Sequence, residues 1–253
     1  MTGEEPKVDL IDHLLNIIFV PLFIGTLILF DLVQRLGAIF GPEVHFKTLL
    51  GLHLSLRGLL RIIGGSVSVS GMENIPVTGP LIIVSNHQSL LDIPLLHLVF
   101  KAHRPRFVSK KELARWIPSV SFNLRYGQSA VIDRDNPRQA IPELKRAALR
   151  MKEQDFSLVI FPEGTRARNG EIKEFLAAGL TVLIKELPET LIVPVVIDGS
   201  WKFSYRPLGP APRGTNIKIS ILPAVSSTNR HPKELVAALH QQISAELNQL
   251  RQL

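Results

Sequence analysis

Two short apolar runs, each leading into a polar loop, limit what this chain can fold into. Leu81-Ile82-Ile83-Val84 leads into Asn86-His87-Gln88-Ser89-Leu90-Leu91-Asp92, and Ser157-Leu158-Val159-Ile160-Phe161 leads into Pro162-Glu163-Gly164-Thr165-Arg166. Short apolar runs bounded by turn residues read as buried strands. After the first, Pro94 and then Leu95-Leu96 and Leu98-Val99-Phe100 indicate a helix starting near Asp92, because Asp is a good N-cap and Pro is tolerated in the first turn. On one continuous helix His87 and Asp92 would lie about 140° apart and could not meet. On a strand-turn-helix they can, and an imidazole beside a carboxylate is the minimum apparatus of a general base. The second loop brings a guanidinium and a glycine that lets backbone N–H groups approach an anion. In an open α/β sheet ligands bind outside the carboxyl ends of the strands. If the two strands are parallel, both loops open onto one edge.

Those two loops resemble the glycerolipid acyltransferase family, whose best-known members are the 1-acylglycerol-3-phosphate acyltransferases. The resemblance rests on Asn86-His87 followed by Asp92 and on Phe161-Pro162-Glu163-Gly164-Thr165-Arg166. Two further blocks fit in family order. Lys110-Lys111-Glu112-Leu113, Trp116-Ile117-Pro118, Gly127 and Val131-Ile132-Asp133-Arg134 resemble the second, and Ile192-Val193-Pro194-Val195-Val196-Ile197 the fourth. The matching region covers roughly residues 66 to 200. It implies acyl transfer from acyl-CoA or acyl-carrier protein to the free hydroxyl of a lysophospholipid, with lysophosphatidate first, and with no metal or other cofactor. It assigns His87 as base and Asp92 as its orienter. Arg166, with Arg134 and Lys111, would hold the acceptor phosphate. Glu163 would orient the acceptor or the loop, backbone N–H groups near Gly164 would face the oxyanion, and Asn86 and Thr165 would join the substrate-binding set. Two positions depart from the pattern. Phe175-Leu176-Ala177-Ala178-Gly179 stands where the family often has Phe-Lys-x-Gly, leaving only Lys173 upstream, and Ser121 stands where Gly is common. A lost cation keeps another lysolipid, such as a lyso-aminolipid, in play. From a different class, a membrane lipid-binding protein without turnover is the alternative.

Around this centre the chain divides at Gly64-Gly65 into an N-terminal part, 1–65, and an α/β part, 66–253, the latter expected as a mostly parallel mixed sheet flanked by helices. The N-terminus is acidic, with Glu4, Glu5, Asp9 and Asp12 around Lys7, unlike the positive start of a signal peptide. From His13 to Phe30 no residue carries a full charge at neutral pH, and the run is near the lower limit of about 17–20 residues for crossing a bilayer. Pro21 and Asn16 are expected to interrupt it. A re-entrant helix, a single span and a buried core helix are the three readings. If it spans, Arg35, Lys47, Arg57 and Arg61 follow it and put the catalytic part on the cytoplasmic face, that of a bacterial inner membrane. Phe46 to Ile63 reads as a basic amphipathic helix, suited to a lipid surface or to packing on a neighbour.

The remaining pattern is α/β. Val67-Ser68-Val69-Ser70 alternates like an edge strand, Ala130-Val131-Ile132, Leu191–Ile197 and Ile217–Leu222 read as strands, and Pro137 and Pro142 mark the approach to a helix of about three turns. Phe175–Leu187 and the segment opened by His231-Pro232 read as helices. Trp116-Ile117-Pro118 would suit a lipid interface or a core. The net charge of +7 suits an anionic membrane, an acidic substrate or carrier, or nucleic acid, but no nucleic-acid motif is present and only 6% of residues are aromatic, so nucleic acid ranks last of the three and no nucleic-acid partner is expected. The absence of cysteine excludes a thiol nucleophile and Cys-ligated metal. Walker, dinucleotide-binding, serine-elbow and zinc-protease motifs are absent. His13, His45, His53, His97, His103, His231 and His240 show no metal-ligand spacing and read as surface or satisfied core residues.

Overall fold

A computed structural model describes residues 5–206 and 209–252, so Glu4 lies outside the described residues. Two helices, α1 (Leu10–Ile39) and α2 (Pro42–Leu59), precede β1 (Ser66–Ser70) and β2 (Ile82–Ser85). Then come α3 (Asp92–Val99), β3 (Arg106–Lys110), α4 (Val120–Tyr126), β4 (Ala130–Ile132), α5 (Pro137–Gln154) and β5 (Leu158–Ile160). The chain ends with α6 (Ala177–Glu186), β6 (Ile192–Asp198), β7 (Asn216–Ile221) and α7 (Pro232–Gln252). The strands form one seven-stranded sheet in the order β1-β7-β6-β2-β5-β3-β4. The pairs β6–β2, β2–β5, β5–β3 and β3–β4 are parallel, whereas β7 runs antiparallel to β6 and carries β1 parallel to itself. The expected mostly parallel mixed sheet is therefore found, with β1 at its edge.

Alternation along the central strands divides the core in two. Ile82 and Val84 of β2 join Leu158, Ile160, Leu144, Met151, Leu183 and Leu239 on the face covered by α5, α6 and α7. Leu81 and Ile83 join Leu95, Leu96, Phe100 and Phe19 on the face covered by α3 and α1. Ile82, Ile83 and Val84 are wholly buried, and each such side chain contributes about 1.5–3 kcal/mol. This continuous burial is why the strand reads as an unbroken apolar run.

Several expectations are corrected. The helix at Pro137 has 18 residues, five turns rather than three, and contains Pro142 instead of starting after it. Neither Pro21 nor Asn16 interrupts α1, which is continuous over 30 residues. Asn16 is buried because its amide donates to Asp12 O at 2.8 Å and Ala211 O at 2.9 Å, and its oxygen accepts from Ala211 N–H at 3.1 Å. Asp12 accepts from Arg213 N–H at 2.8 Å, so the acidic start of the chain anchors α1 to the segment before β7. Asp9 and Asp12 also form a reciprocal cap at the start of α1. Elsewhere α1 shows apolar side chains outward: Leu10, Ile17, Ile28, Leu32 and Ile39 are all exposed. By length and composition it is sufficient to cross a membrane. Strand β3 and helix α4 were not anticipated. Only Phe107, Val108 and Ser109 of β3 are buried, between Arg106 and Lys110, so its apolar signal is too short to stand out.

Candidate active site

Because β2, β5, β3 and β4 are all parallel, the loops that follow them open on one edge of the sheet. His87 and Asp92 meet there: His87 Nδ1 lies 2.8 Å from Asp92 Oδ2. Asp92 is not the N-cap. Leu91 holds that position, and Asp92 begins α3. Its carboxylate turns back instead to the preceding turn, accepting from Gln88 N–H at 2.6 Å and Ser89 N–H at 2.8 Å. Ser200 Oγ–H donates to the other oxygen at 2.5 Å. Asp92 is completely buried. Four donors converge on one buried carboxylate, and a carboxylate at Nδ1 fixes the proton on that nitrogen. Nε2 is left as the acceptor.

The loop after β5 holds the His87 backbone from both sides. Glu163 Oε1 accepts from His87 N–H at 2.8 Å, and Ala167 N–H donates to His87 O at 2.7 Å. Phe161 stacks beneath the imidazole at 4.1 Å between ring centroids, 16° from parallel. The other Glu163 oxygen accepts from Lys173 N–H at 3.0 Å. Burial pushes the Glu163 carboxyl up to about 7 in spite of these two bonds. Glu163 thus orients the loop. Gly164 has φ of +71°, a backbone conformation that favours glycine, whereas a Cβ there would meet only the mobile Cδ1 end of the exposed Leu176 side chain, at 2.9 Å. Its own N–H is spent on Phe161 O. The N–H groups of Thr165 and Arg166 have no acceptor among the described residues.

Arg166 is half-buried, and its guanidinium has no hydrogen-bond or ion-pair partner among the described residues. Burial lowers its pKa, the nearby Arg168 lowers it further, and Asp92 raises it. Arg166 and Arg168 line a cavity of about 320 Å³ together with Ser89, Leu90, Leu91 and, from α1, Phe19 and Phe23. Lys173, the cation upstream of the departed motif, folds back onto this loop: its ammonium donates to Thr165 Oγ1 at 2.8 Å and Arg166 O at 3.0 Å. A positive charge therefore stands at the loop despite the apolar Leu176-Ala177-Ala178.

Not every expected residue comes to the same place. Asn86 is corrected from the substrate-binding set. It is 1% exposed, and its amide bonds both ways to the β6 backbone, to Ile197 O and from Ile197 N–H, each at 2.8 Å. It clamps two strands, and its burial closes it off from a ligand. Lys111 follows β3, with its ammonium 2.5 Å from Asp133 Oδ2 at the end of β4. Arg134 is half-buried and unpaired among the described residues, near Glu112 and Asp135. Sequence reasoning missed Ser200. No motif marks it, and only the pairing of β6 beside β2 carries it to Asp92.

A family model described as Acyltransferase matches residues 66–198. The chain belongs to the acyltransferase family. Among curated members, the 1-acyl-sn-glycerol-3-phosphate acyltransferase of Cocos nucifera is 31% identical over 164 residues, which is 63% of this chain and 51% of that protein. The 1-acyl-sn-glycerol-3-phosphate acyltransferase alpha of Ovis aries is 28% identical over 186 residues, 74% of this chain and 63% of that protein. This acyltransferase-family chain spans about half the length of the first of these relatives. The crystal structure of the 1-acyl-sn-glycerophosphate (LPA) acyltransferase PlsC from Thermotoga maritima superposes with a TM-score of 0.74 at 25% identity, covering 95% of this chain and 96% of that one.

Proposed function

We infer that this acyltransferase-family protein moves a fatty acyl group from a thioester, acyl-CoA or acyl-carrier protein, to the free hydroxyl of 1-acylglycerol-3-phosphate, giving phosphatidate. The observation that carries the reading is the Arg166 guanidinium, unpartnered among the described residues, near a His87–Asp92 pair whose Nε2 is likewise without a partner among them. An alcohol needs its proton removed as it attacks. His87 Nε2 takes that proton while the hydroxyl oxygen bonds to the thioester carbonyl carbon, and Asp92 stabilises the resulting imidazolium. The tetrahedral oxyanion is met by the free N–H groups of Thr165 and Arg166. The C–S bond then breaks, the imidazolium returns its proton to the departing thiolate, and the ester remains. A thioester is activated enough for this without a metal.

Arg166 holds the acceptor phosphate through paired N–H donors, with Lys173 adding charge at the same loop. Arg134 and Lys111 lie farther along the sheet edge, and Lys111 must exchange Asp133 for a phosphate oxygen to take part. The apolar outer face of α1 supplies membrane association, while Phe19 and Phe23, on its inward side, line the cavity where Arg166 stands. Purified protein offered a panel of radiolabelled lysolipids with both thioester donors tests the reading. Labelled phosphatidate formed from lysophosphatidate well above all other products is the expected result. Turnover of a lyso-aminolipid alone would reassign the acceptor, and no acyl transfer to any lysolipid would reject the reaction.

A further inference from the structure

Helix α7 lies outside the residues 66–198 that the family model matches. Leu235, Leu239, Ile243, Leu247 and Leu250 pack its apolar stripe on the core. Arg251, the residue after that stripe, does something else. Its guanidinium reaches two separate segments at once. Nη2 donates to Gly170 O at 2.7 Å, in the loop after β5. Nε and Nη2 donate to Asp198 Oδ1 at 3.2 and 3.1 Å, at the end of β6. Nη1 donates to Glu171 Oε1 at 3.3 Å. Arginine suits such a position because its donors stand in a rigid planar fork. Among the described residues the Asp198 carboxylate has no other side-chain partner.

Both segments lead to the candidate active site. Gly170 N–H donates to Ala167 O at 3.0 Å and closes the turn that carries Arg168. Arg166 directly precedes that turn, and both arginines line the cavity of about 320 Å³. Gly170 O also accepts from Gln88 Nε2 at 3.3 Å, in the loop that carries His87. Two residues beyond Asp198, Ser200 donates to Asp92. Gly170 has φ of +81°, and a Cβ there would stand 2.8 Å from Arg251 Nη2 and 2.7 Å from Trp201 Nε1, so glycine keeps the approach of the guanidinium open.

We propose that Arg251 is a positioning residue for the acceptor site. It ties the loop after β5 to the end of β6, and so holds Arg166 and Arg168 in place relative to the His87–Asp92 pair. Without it, Gly170 O keeps only the longer bond from Gln88 among the described residues, and the turn is released from β6. The dyad keeps its own donors. The loss therefore falls on the grip of the acceptor phosphate and spares proton transfer. The proposal rests on the acyl-transfer reading for its kinetic readout only.

The test compares the wild type with Arg251→Ala, Arg251→Lys and Asp198→Asn, each as the full chain in detergent. Lysophosphatidate and an acyl-CoA are the substrates, and hydrogen exchange is read over 164–171. Arg251→Ala is expected to raise the acceptor KM by about 3–10-fold, the scale of one net hydrogen bond, with kcat and the donor KM within about twofold of the wild type. Exchange over 164–171 should quicken while β2 and α5 keep their protection. Ethylguanidinium, which matches the missing end of the side chain, should restore the acceptor KM, and Arg251→Lys, which keeps the cation without the fork, should restore part of it. Asp198→Asn keeps the oxygen that accepts from Arg251 and loses the charge, so it should lower the unfolding midpoint and leave the acceptor KM near that of the wild type. A purely structural role would reduce the folded fraction, which lowers apparent kcat and leaves KM where it was. An unchanged acceptor KM in Arg251→Ala, or a rise that the donor KM shares and ethylguanidinium does not reverse, would overturn the proposal. If the alanine variant does not fold, an acceptor KM in Arg251→Lys equal to that of the wild type overturns it. If the wild type turns over no lysolipid, the acyl-transfer reading fails and exchange decides alone: unaltered protection of 164–171 in Arg251→Ala, or in Arg251→Lys if the alanine variant does not fold, overturns the positioning role, and faster exchange there upholds it.

Discussion

The loops that follow β2 and β5 lie side by side and treat their polar groups in opposite ways. In the first, Asn86, Gln88, Ser89 and Asp92 are all buried, and their side chains are spent on backbone groups, on His87 Nδ1 and on Ser200, leaving His87 Nε2 as the group turned outward. In the second, among the described residues, Arg166 keeps its guanidinium free at a cavity and the N–H groups of Thr165 and Arg166 meet no acceptor. The difference separates two tasks. A group that must move a proton needs its position and tautomer fixed beforehand, since misplacement weakens general-base catalysis steeply. A group that grips a dianion needs its donors unspent until the ligand arrives. Glu163 joins the two, sitting in the second loop while holding the backbone of His87 and of Lys173.

The sharpest way to break this contrast is to remove the fixed group. His87→Ala should lower kcat by about 10²–10⁴-fold while the thermal unfolding midpoint stays close to that of the wild type; near-normal turnover would strike His87 from the mechanism. Removing the unspent group should act on binding instead. Arg166→Ala is expected to raise the acceptor KM by about 10–100-fold, the worth of one charge-assisted contact, with the donor KM little altered. A fall in kcat at unchanged acceptor KM would mean that Arg166 acts on the transition state alone.

Glu163→Gln probes the joint between the loops through stability. The folded carboxyl titrates at about 7, against 4.5 for the ordinary group. Between those values the folded state keeps a proton that the unfolded state has released, so wild-type stability should fall as pH rises from below 4.5 through about 7. The glutamine variant lacks that slope. Its stability relative to the wild type should improve from pH 4 to pH 8 by about 2–3 kcal/mol, read by denaturant unfolding at several pH values. Parallel curves would place Glu163 among ordinary carboxylates. The smallest effect is expected at Ser200→Ala, which removes one of four donors to Asp92. A net hydrogen bond to a charged group contributes about 1.5 kcal/mol, so kcat should drop roughly tenfold with both KM values nearly constant. A larger change in KM than in kcat would mean that Ser200 contacts substrate.

Local sequence was enough to identify β2, β5, β6 and β7, because the first three are apolar runs and β7 alternates Ile217, Ile219 and Ile221 with Lys218 and Ser220. It was insufficient for β3, where Arg106 and Lys110 flank three buried residues. Pairing with β5 on one side and β4 on the other makes those residues a strand. It misjudged Pro21 and Asn16 in α1 for a related reason. A polar residue in an apolar run reads as a break, yet Asn16 finds two backbone partners at Ala211, far along the chain.

The chain alone established which chemical groups were on hand, and that His87 and Asp92, five positions apart across a strand-turn-helix, would be able to meet. Spacing along a backbone is a local quantity and can be read without coordinates. What tertiary structure decided is who stands next to whom across the sheet. The parallel seating of β2 beside β5 brings Arg166 to the dyad, and that of β6 beside β2 brings Ser200 to Asp92. It also turns Asn86 from a ligand contact into a clamp, brings Arg251 to Gly170 and Asp198, and leaves one ring nitrogen each of His45, His53 and His97 buried without a partner among the described residues rather than satisfied. Those outcomes follow from strand order and helix packing, which depend on the burial of the whole core and on no single stretch of residues.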